Sequence, residues 1–81
     1  MTTWRKELDD VLAGDVLIAN TMTDEEMDAE FNDGFGGSEG VHFTAWSERY
    51  VYFPVVYDGS EWVDRVPRHP CDEKTGHIGG E

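Results

Sequence analysis

The chain begins with an amphipathic pattern that predicts a first helix over residues 3–13. Apolar residues recur at the i, i+4, i+7 and i+8 positions counted from Trp4, which places them on one helical face. Gly14 follows and is a typical helix stop. The short apolar stretch at 15–19 has too few residues for periodicity to decide, so a buried strand and a second helical turn are both open there.

A start signal predicts a second helix over residues 23–33. Thr23 is followed three residues later by Glu26, which is the capping-box pattern in which each side chain binds a free backbone N–H of the first turn. Met22 and Met27 occupy the two positions of a hydrophobic staple. The apolar face of this helix is narrow, so we expect it to lie on the surface of the domain.

After a glycine-rich loop, apolar and polar residues alternate with a period of two and predict a three-stranded antiparallel meander over residues 41–66. Asp58-Gly59 is a strong signal for a hairpin turn. Pro54 falls in the middle strand and has no N–H to donate, so we expect a bulge there or a non-central position. Residues 67–81 are rich in Pro, Gly and charge, and we expect a loose tail.

These patterns assign the whole chain, residues 1–81, to a single α+β domain in which two short N-terminal helices pack on the meander. No apolar run approaches the roughly 20 residues of a membrane span. The first residues lack the apolar core of a signal peptide, so we expect a cytoplasmic protein. Cys71 is the only cysteine, which excludes an internal disulfide.

The charge narrows the class of partner. The chain has 18 Asp and Glu against 6 Lys and Arg, a formal net charge of -12, and most of the excess lies in the first forty residues. Nucleic acids and anionic membranes would be repelled by this field. We therefore expect no direct binding to either, and a partner protein with a basic surface.

Carboxylates concentrate in the second predicted helix. Acids in its first turn complement the helix dipole, but the dipole does not explain Asp33 at the other end or the like-charged i,i+4 pair Asp24 and Asp28. A solvated surface explains part of the pattern. The alternative is a surface that imitates the phosphates of a nucleic acid. The residues assigned to this partner-binding surface are Asp24, Glu25, Glu26, Asp28, Glu30 and Asp33, extended by Asp9, Asp10 and Asp15.

In size, charge and the acidic helix, the chain resembles the small acidic inhibitors encoded by phages and other mobile elements, the anti-CRISPR and anti-restriction DNA mimics. Those proteins share no common motif, so the resemblance transfers no individual residue. It implies a non-enzymatic inhibitor that blocks a protein with a basic nucleic-acid-binding groove.

The alternative function is an acidic adaptor, or a homodimeric interaction module, that binds through an aromatic face of the sheet. Both faces of the predicted sheet carry Tyr or Trp, which are common anchors of protein interfaces. The residues assigned to this interface are Trp46, Tyr50, Tyr52 and Trp62.

Metal-binding patterns are weaker. Asp28, Glu30, Asn32 and Glu39 match four positions of an EF-hand calcium loop, but Asp33 stands where the sharp turn requires glycine. A calcium site of another type, built on Asp33 and Glu39, is open.

Zinc has only weak candidates in His69, Cys71 and His77, because two of them are closer together than zinc ligands usually are. We expect no metal and no cofactor. Catalysis has little support as well, since the cysteine has no positioned base and nothing predicts a closed pocket that would separate carboxylate pKa values. The sequence therefore predicts a binding protein and not an enzyme.

Overall fold

The computed structural model describes residues 1–32 and 40–78. Over this range the protein is an α+β fold with two helices and one antiparallel four-stranded sheet. The elements in chain order are α1 (Trp4–Leu12), β1 (Ala19–Asn20), α2 (Asp24–Asp28), β2 (Ala45–Trp46), β3 (Tyr50–Tyr57) and β4 (Ser60–Pro67). The strands are neighbours in the sheet in the order β1-β2-β3-β4.

The first helix agrees with the sequence prediction to within a residue at each end. Thr3 is its N-cap and accepts a hydrogen bond from the backbone N–H of Lys6. The helix ends where Ala13, with φ of 50°, and Gly14, with φ of 94°, take the left-handed conformation. Its buried face consists of Trp4, Leu8 and Leu12.

The predicted capping box of α2 is confirmed, but the helix is shorter than residues 23–33. The N–H of Glu26 lies 3.1 Å from Oγ1 of Thr23, and the N–H of Thr23 lies 2.9 Å from Oε1 of Glu26. The helix has five residues and ends at Asp28, and Met27 is its only buried residue. With one apolar anchor, packing stabilises a single turn and no more.

After α2 the chain becomes extended, because Phe31 pairs through its backbone with Thr2. The N–H of Phe31 donates to the carbonyl of Thr2 at 2.9 Å, and the N–H of Thr2 donates to the carbonyl of Phe31 at 3.0 Å. Phe31 thereby enters the core beside the indole of Trp4, with ring centroids 4.6 Å apart. The predicted helix end at Asp33 lies outside the described residues.

The predicted meander is extended by a fourth strand. Part of the undecided stretch 15–19 forms the edge strand β1, in which Ala19 pairs with Trp46 of β2. The N–H of Ile18, just before this strand, donates to the carbonyl of Trp46 at 2.7 Å. A strand of two residues is too short to show periodicity. It is defined only by its backbone pairing with β2, which lies far along the chain.

The β3–β4 hairpin forms as predicted, with a two-residue turn. Asp58 and Gly59 both have positive φ, 51° and 83°, as a type I′ turn requires. The ladder continues without interruption, so the expected bulge at Pro54 is absent. Hydrogen-bonded and non-hydrogen-bonded pairs alternate along an antiparallel ladder that starts at a two-residue turn. Pro54 falls in a non-hydrogen-bonded pair, so its nitrogen points away from β4. Because β2 pairs only with the first part of β3, this nitrogen faces no strand of the described chain.

The core lies between the helices and one face of the sheet. Its central residues are fully buried, with Leu8, Ala45 and Tyr52 each at 0% exposure. The remaining members of the core cluster are Trp4, Leu12, Met22, Met27, Phe31, Phe43 and Val63. Residues 68–78 contain no helix or strand and are exposed.

Candidate functional site

Carboxylates dominate the helical layer of the fold. Residues 1–32 contain nine Asp and Glu side chains and two cations, Arg5 and Lys6, which gives a formal charge of -7. Both helices direct apolar residues into the core and keep acidic residues on the outside. We call the following exposed residues the acidic helical side: Asp9, Asp10, Asp24, Glu25, Glu26, Asp28 and Glu30.

Arg5 of α1 reaches two carboxylates of α2. Its guanidinium donates to both carboxylate oxygens of Asp28, with 3.3 Å between Nη2 and Oδ2, and Nη2 lies 3.5 Å from Oδ1 of Asp24. The hydrogen bond from Arg5 holds the pKa of Asp28 below its ordinary value. The like-charged i,i+4 pair is therefore bridged by a cation from the other helix. Local spacing did not reveal this contact, because its partners are 23 positions apart.

Two more acids of the acidic helical side have internal partners. Glu26 closes the capping box. Asp10 lies 3.4 Å from Nζ of Lys6, one turn earlier on α1. The Lys6–Asp10 pair is an exposed ion pair, which contributes little to stability, so Asp10 can exchange partners at small cost. Glu26 instead binds the backbone N–H of Thr23 and helps to cap α2.

Three acids on this side make no internal hydrogen bond or ion pair within the described part of the chain. They are Asp9, Glu25 and Glu30, and all three are exposed. These side chains are the free anionic groups that a cationic partner would meet first.

The structure separates Asp15, a predicted member, from this surface. Asp15 accepts a hydrogen bond from the N–H of Val16 and follows the end of α1, whereas Arg5 holds α2 at the beginning of α1. About seven residues of helical rise, roughly 10 Å, separate Arg5 from the end of α1. Asp33 is outside the described residues.

The second candidate surface is the sheet face opposite the core. Side chains alternate along a strand, so the residues between the core-facing positions lie on this other face. Its apolar members, which we call the open sheet face, are Trp46, Val51, Phe53, Trp62 and Val66, and all five are half-buried. Val55 has the same register but is buried, at 9% exposure, where Gly40 and His42 line a cavity with it. None of the five belongs to the core cluster, and no helix or strand among the described residues packs over them.

Of the four aromatics assigned to an interface, only Trp46 and Trp62 lie on the open sheet face. Tyr52 is fully buried in the core and presents nothing to a partner. Tyr50 packs against the core, carries the guanidinium of Arg65 over its ring at 3.9 Å, and donates its hydroxyl to Glu73 at 2.7 Å. That hydrogen bond raises the pKa of Tyr50. The sequence left the strand register open, and the register decides which alternate residues face outward.

No cluster of metal ligands is found within the described ranges. His69, Cys71 and His77 lie in the exposed tail and do not form a group that could hold an ion. Of the alternative calcium ligands, Asp33 and Glu39 are outside the described residues. The weak zinc pattern in the sequence therefore has no corresponding cluster in the described tail.

Comparison with known proteins found no match to a family model, a curated protein or a solved structure. Across residues 1–32 and 40–78, no helix has the length and apolar character needed to cross a bilayer.

Proposed function

We propose that the protein is a non-enzymatic inhibitor whose acidic helical side occupies the basic nucleic-acid-binding groove of a partner protein. The supporting observation is the group of exposed carboxylates on the two helices, of which Asp9, Glu25 and Glu30 have no internal partner. A charge of -7 over residues 1–32 attracts Lys and Arg side chains that would otherwise contact phosphates.

The mechanism is competition for cationic side chains. Long-range attraction accelerates encounter with a basic groove, and ionic strength weakens it. Asp24 and Asp28 contribute by exchanging Arg5 for cations of the partner, because the ion pair is exposed and easily opened. The partner loses access to DNA or RNA while the inhibitor is bound.

The test uses neutral, nearly isosteric substitutions at the three free acids. The variant Asp9→Asn, Glu25→Gln and Glu30→Gln changes the net charge from -12 to -9 without removing an internal bond. Immobilised protein is exposed to nuclease-treated bacterial lysate at low salt, and captured proteins are identified by mass spectrometry. We expect nucleic-acid-binding proteins that the wild type retains, that added duplex DNA displaces, and that the variant loses.

A matched control removes three charges elsewhere. The acids Glu48, Asp58 and Asp72 are exposed and lie outside the helical layer, so Glu48→Gln, Asp58→Asn and Asp72→Asn give the same net charge. Capture by this control should equal that of the wild type. Equal capture by both triple variants, or retention that is insensitive to salt and DNA, would contradict the proposal.

A second function is favoured by the open sheet face. Five half-buried apolar side chains on one side of a small domain form a surface typical of protein interaction sites. In this second proposal the protein is an acidic adaptor that binds a partner through that face. Substitutions on the sheet then abolish capture, whereas the acidic triple variant retains it.

A further inference from the structure

The open sheet face carries one charge near its middle. Asp64 of β4 pairs with Phe53 of β3, and both strands have eight residues, so this carboxylate lies about midway along the hairpin. Its Oδ1 accepts a hydrogen bond from the N–H of Arg65, and no ion pair of Asp64 is present among the described residues. By the same register, Tyr57 and Ser60 share this face at its turn end, so Asp64 is the anion nearest the centre of a mainly apolar surface.

Dimensions and charge argue against a second copy of this chain as the occupant. The hairpin is about 26 Å long at 3.3 Å per residue and about 10 Å wide, which gives a footprint of a few hundred Å². A stable dimer buries about 800 Å² per partner. Two-fold packing of this face would also bring two Asp64 carboxylates together in a desolvated interface, between chains that each carry -12.

The same dimensions fit one α-helix. A helix is about 10–12 Å across and spans about 26 Å with 17 residues. Helices cover open sheet faces in layered folds because each element buries one apolar surface against the other. A cation on such a helix would neutralise the anion at the centre of the face.

We propose that the open sheet face docks an amphipathic helix of a partner protein, with its apolar stripe over Val51, Trp62 and Val66 and a Lys or Arg directed to Asp64. This inference rests on the second proposed function and names the chemistry of the partner. It is independent of the acidic helical side, which lies on the other face of the sheet.

The test measures binding of two synthetic 17-residue probes, a Leu/Lys amphipathic peptide and a Leu/Glu peptide with the same apolar pattern. Calorimetry with the full chain at about 0.3 M salt suppresses non-specific attraction. We expect the Leu/Lys peptide to bind and the Leu/Glu peptide to bind at least about tenfold more weakly. The cross-strand variant Val51→Ser and Val66→Ser should weaken the Leu/Lys peptide by about tenfold or more.

Two further variants separate the apolar and charge contributions. Asp64→Lys should reverse the preference between the two peptides. The acidic triple variant at Asp9, Glu25 and Glu30 should keep its affinity for the Leu/Lys peptide within about threefold, because the salt screens distant charges. Thermal melting checks that each variant is folded, and Asp64→Lys still tests the proposal if the serine variant is not.

Three outcomes would overturn the inference. The first is peptide binding that depends on the acidic triple variant and not on the sheet variants. The second is an unchanged peptide preference in Asp64→Lys, which would show that an apolar partner without a cation occupies the face. The third is a dimer in sedimentation that Val51→Ser and Val66→Ser dissociate, which would make a second copy the occupant. If sheet variants lose lysate partners but neither peptide binds, the second function stands and only the helical, cationic occupant fails.

Discussion

Gly40 offers a sharp test of the core, because it packs against the indole of Trp4 without space for a side chain. A Cβ at this position would lie 2.5 Å from Cζ2, 2.7 Å from Cε2 and 2.8 Å from Nε1 of that ring. Ordinary contacts between carbons are about 3.5–4.0 Å, so the overlap is about 1 Å. The ring cannot move freely, since Phe31 and Phe43 lie against it.

The variant Gly40→Ala should therefore lower the free energy of unfolding by about 2–4 kcal/mol. Overpacking of a core accounts for about 1–3 kcal/mol. The rest comes from straining the hydrogen bond, now 2.9 Å, that Trp4 Nε1 donates to the carbonyl of Val41. For a domain of this size, the melting temperature should fall by roughly 10–20 °C.

Thermal and urea unfolding followed by circular dichroism measure this loss. Gly76→Ala is the matched control, because a Cβ there has no neighbour within 4 Å, and it should change stability by less than about 0.5 kcal/mol. In the double variant with Trp4→Phe, the smaller ring leaves room for the methyl group. Its loss should be smaller than the sum of the single losses by about 1 kcal/mol or more. Equal stability of Gly40→Ala and Gly76→Ala would refute the packing argument.

Three other predictions concern single polar groups. The hydroxyl of Tyr52 is buried without a partner among the described residues, so Tyr52→Phe should raise the free energy of unfolding by about 1 kcal/mol, and a loss in urea unfolding would contradict this. Arg5 holds the pKa of Asp28 below its ordinary value, so the stabilisation is present at neutral pH and is lost as pH falls through the folded-state pKa. The stability difference between wild type and Asp28→Asn should therefore shrink as pH falls below about 4, and a constant difference would contradict the pairing. The hydrogen bond to Glu73 raises the pKa of Tyr50, so its contribution to stability is present below about pH 10 and is lost as pH rises through the folded-state pKa. In an ultraviolet titration, Tyr50 should therefore ionise at lower pH in Glu73→Gln than in the wild type. An unchanged titration would contradict the hydrogen bond.

Local signals in the sequence predicted the elements whose stabilising contacts are local. The Thr23 and Glu26 capping box and the Asp58-Gly59 turn each depend on residues within a few positions of one another. The apolar spacing of α1 likewise follows from one helical face. These features specify where elements start and turn, which is why the α+β class was predictable.

Features that depend on distant partners were not predictable from the sequence. The early end of α2 results from the backbone pairing between Thr2 and Phe31. The contact of Arg5 with the acidic helix joins two elements whose relative position the sequence does not contain. The buried position of Tyr52 depended on a strand register that alternation alone left undecided. At the candidate site, the acidic residues are evident from the sequence, but which of them lack an internal partner depends on contacts between elements that the sequence does not contain.

The backbone hydrogen bonds between Thr2 and Phe31 also make the first residues a poor place for a truncation or a label. The two hydrogen bonds form a backbone bridge that joins the ends of residues 2–31, and this bridge lies one residue from Met1. Deleting Met1 and Thr2 would remove this bridge and free the segment that follows α2. Faster hydrogen exchange of the Phe31 amide would show the loss. Residues 68–78 are exposed and contain no ladder, so affinity handles and fluorophores are better attached beyond them.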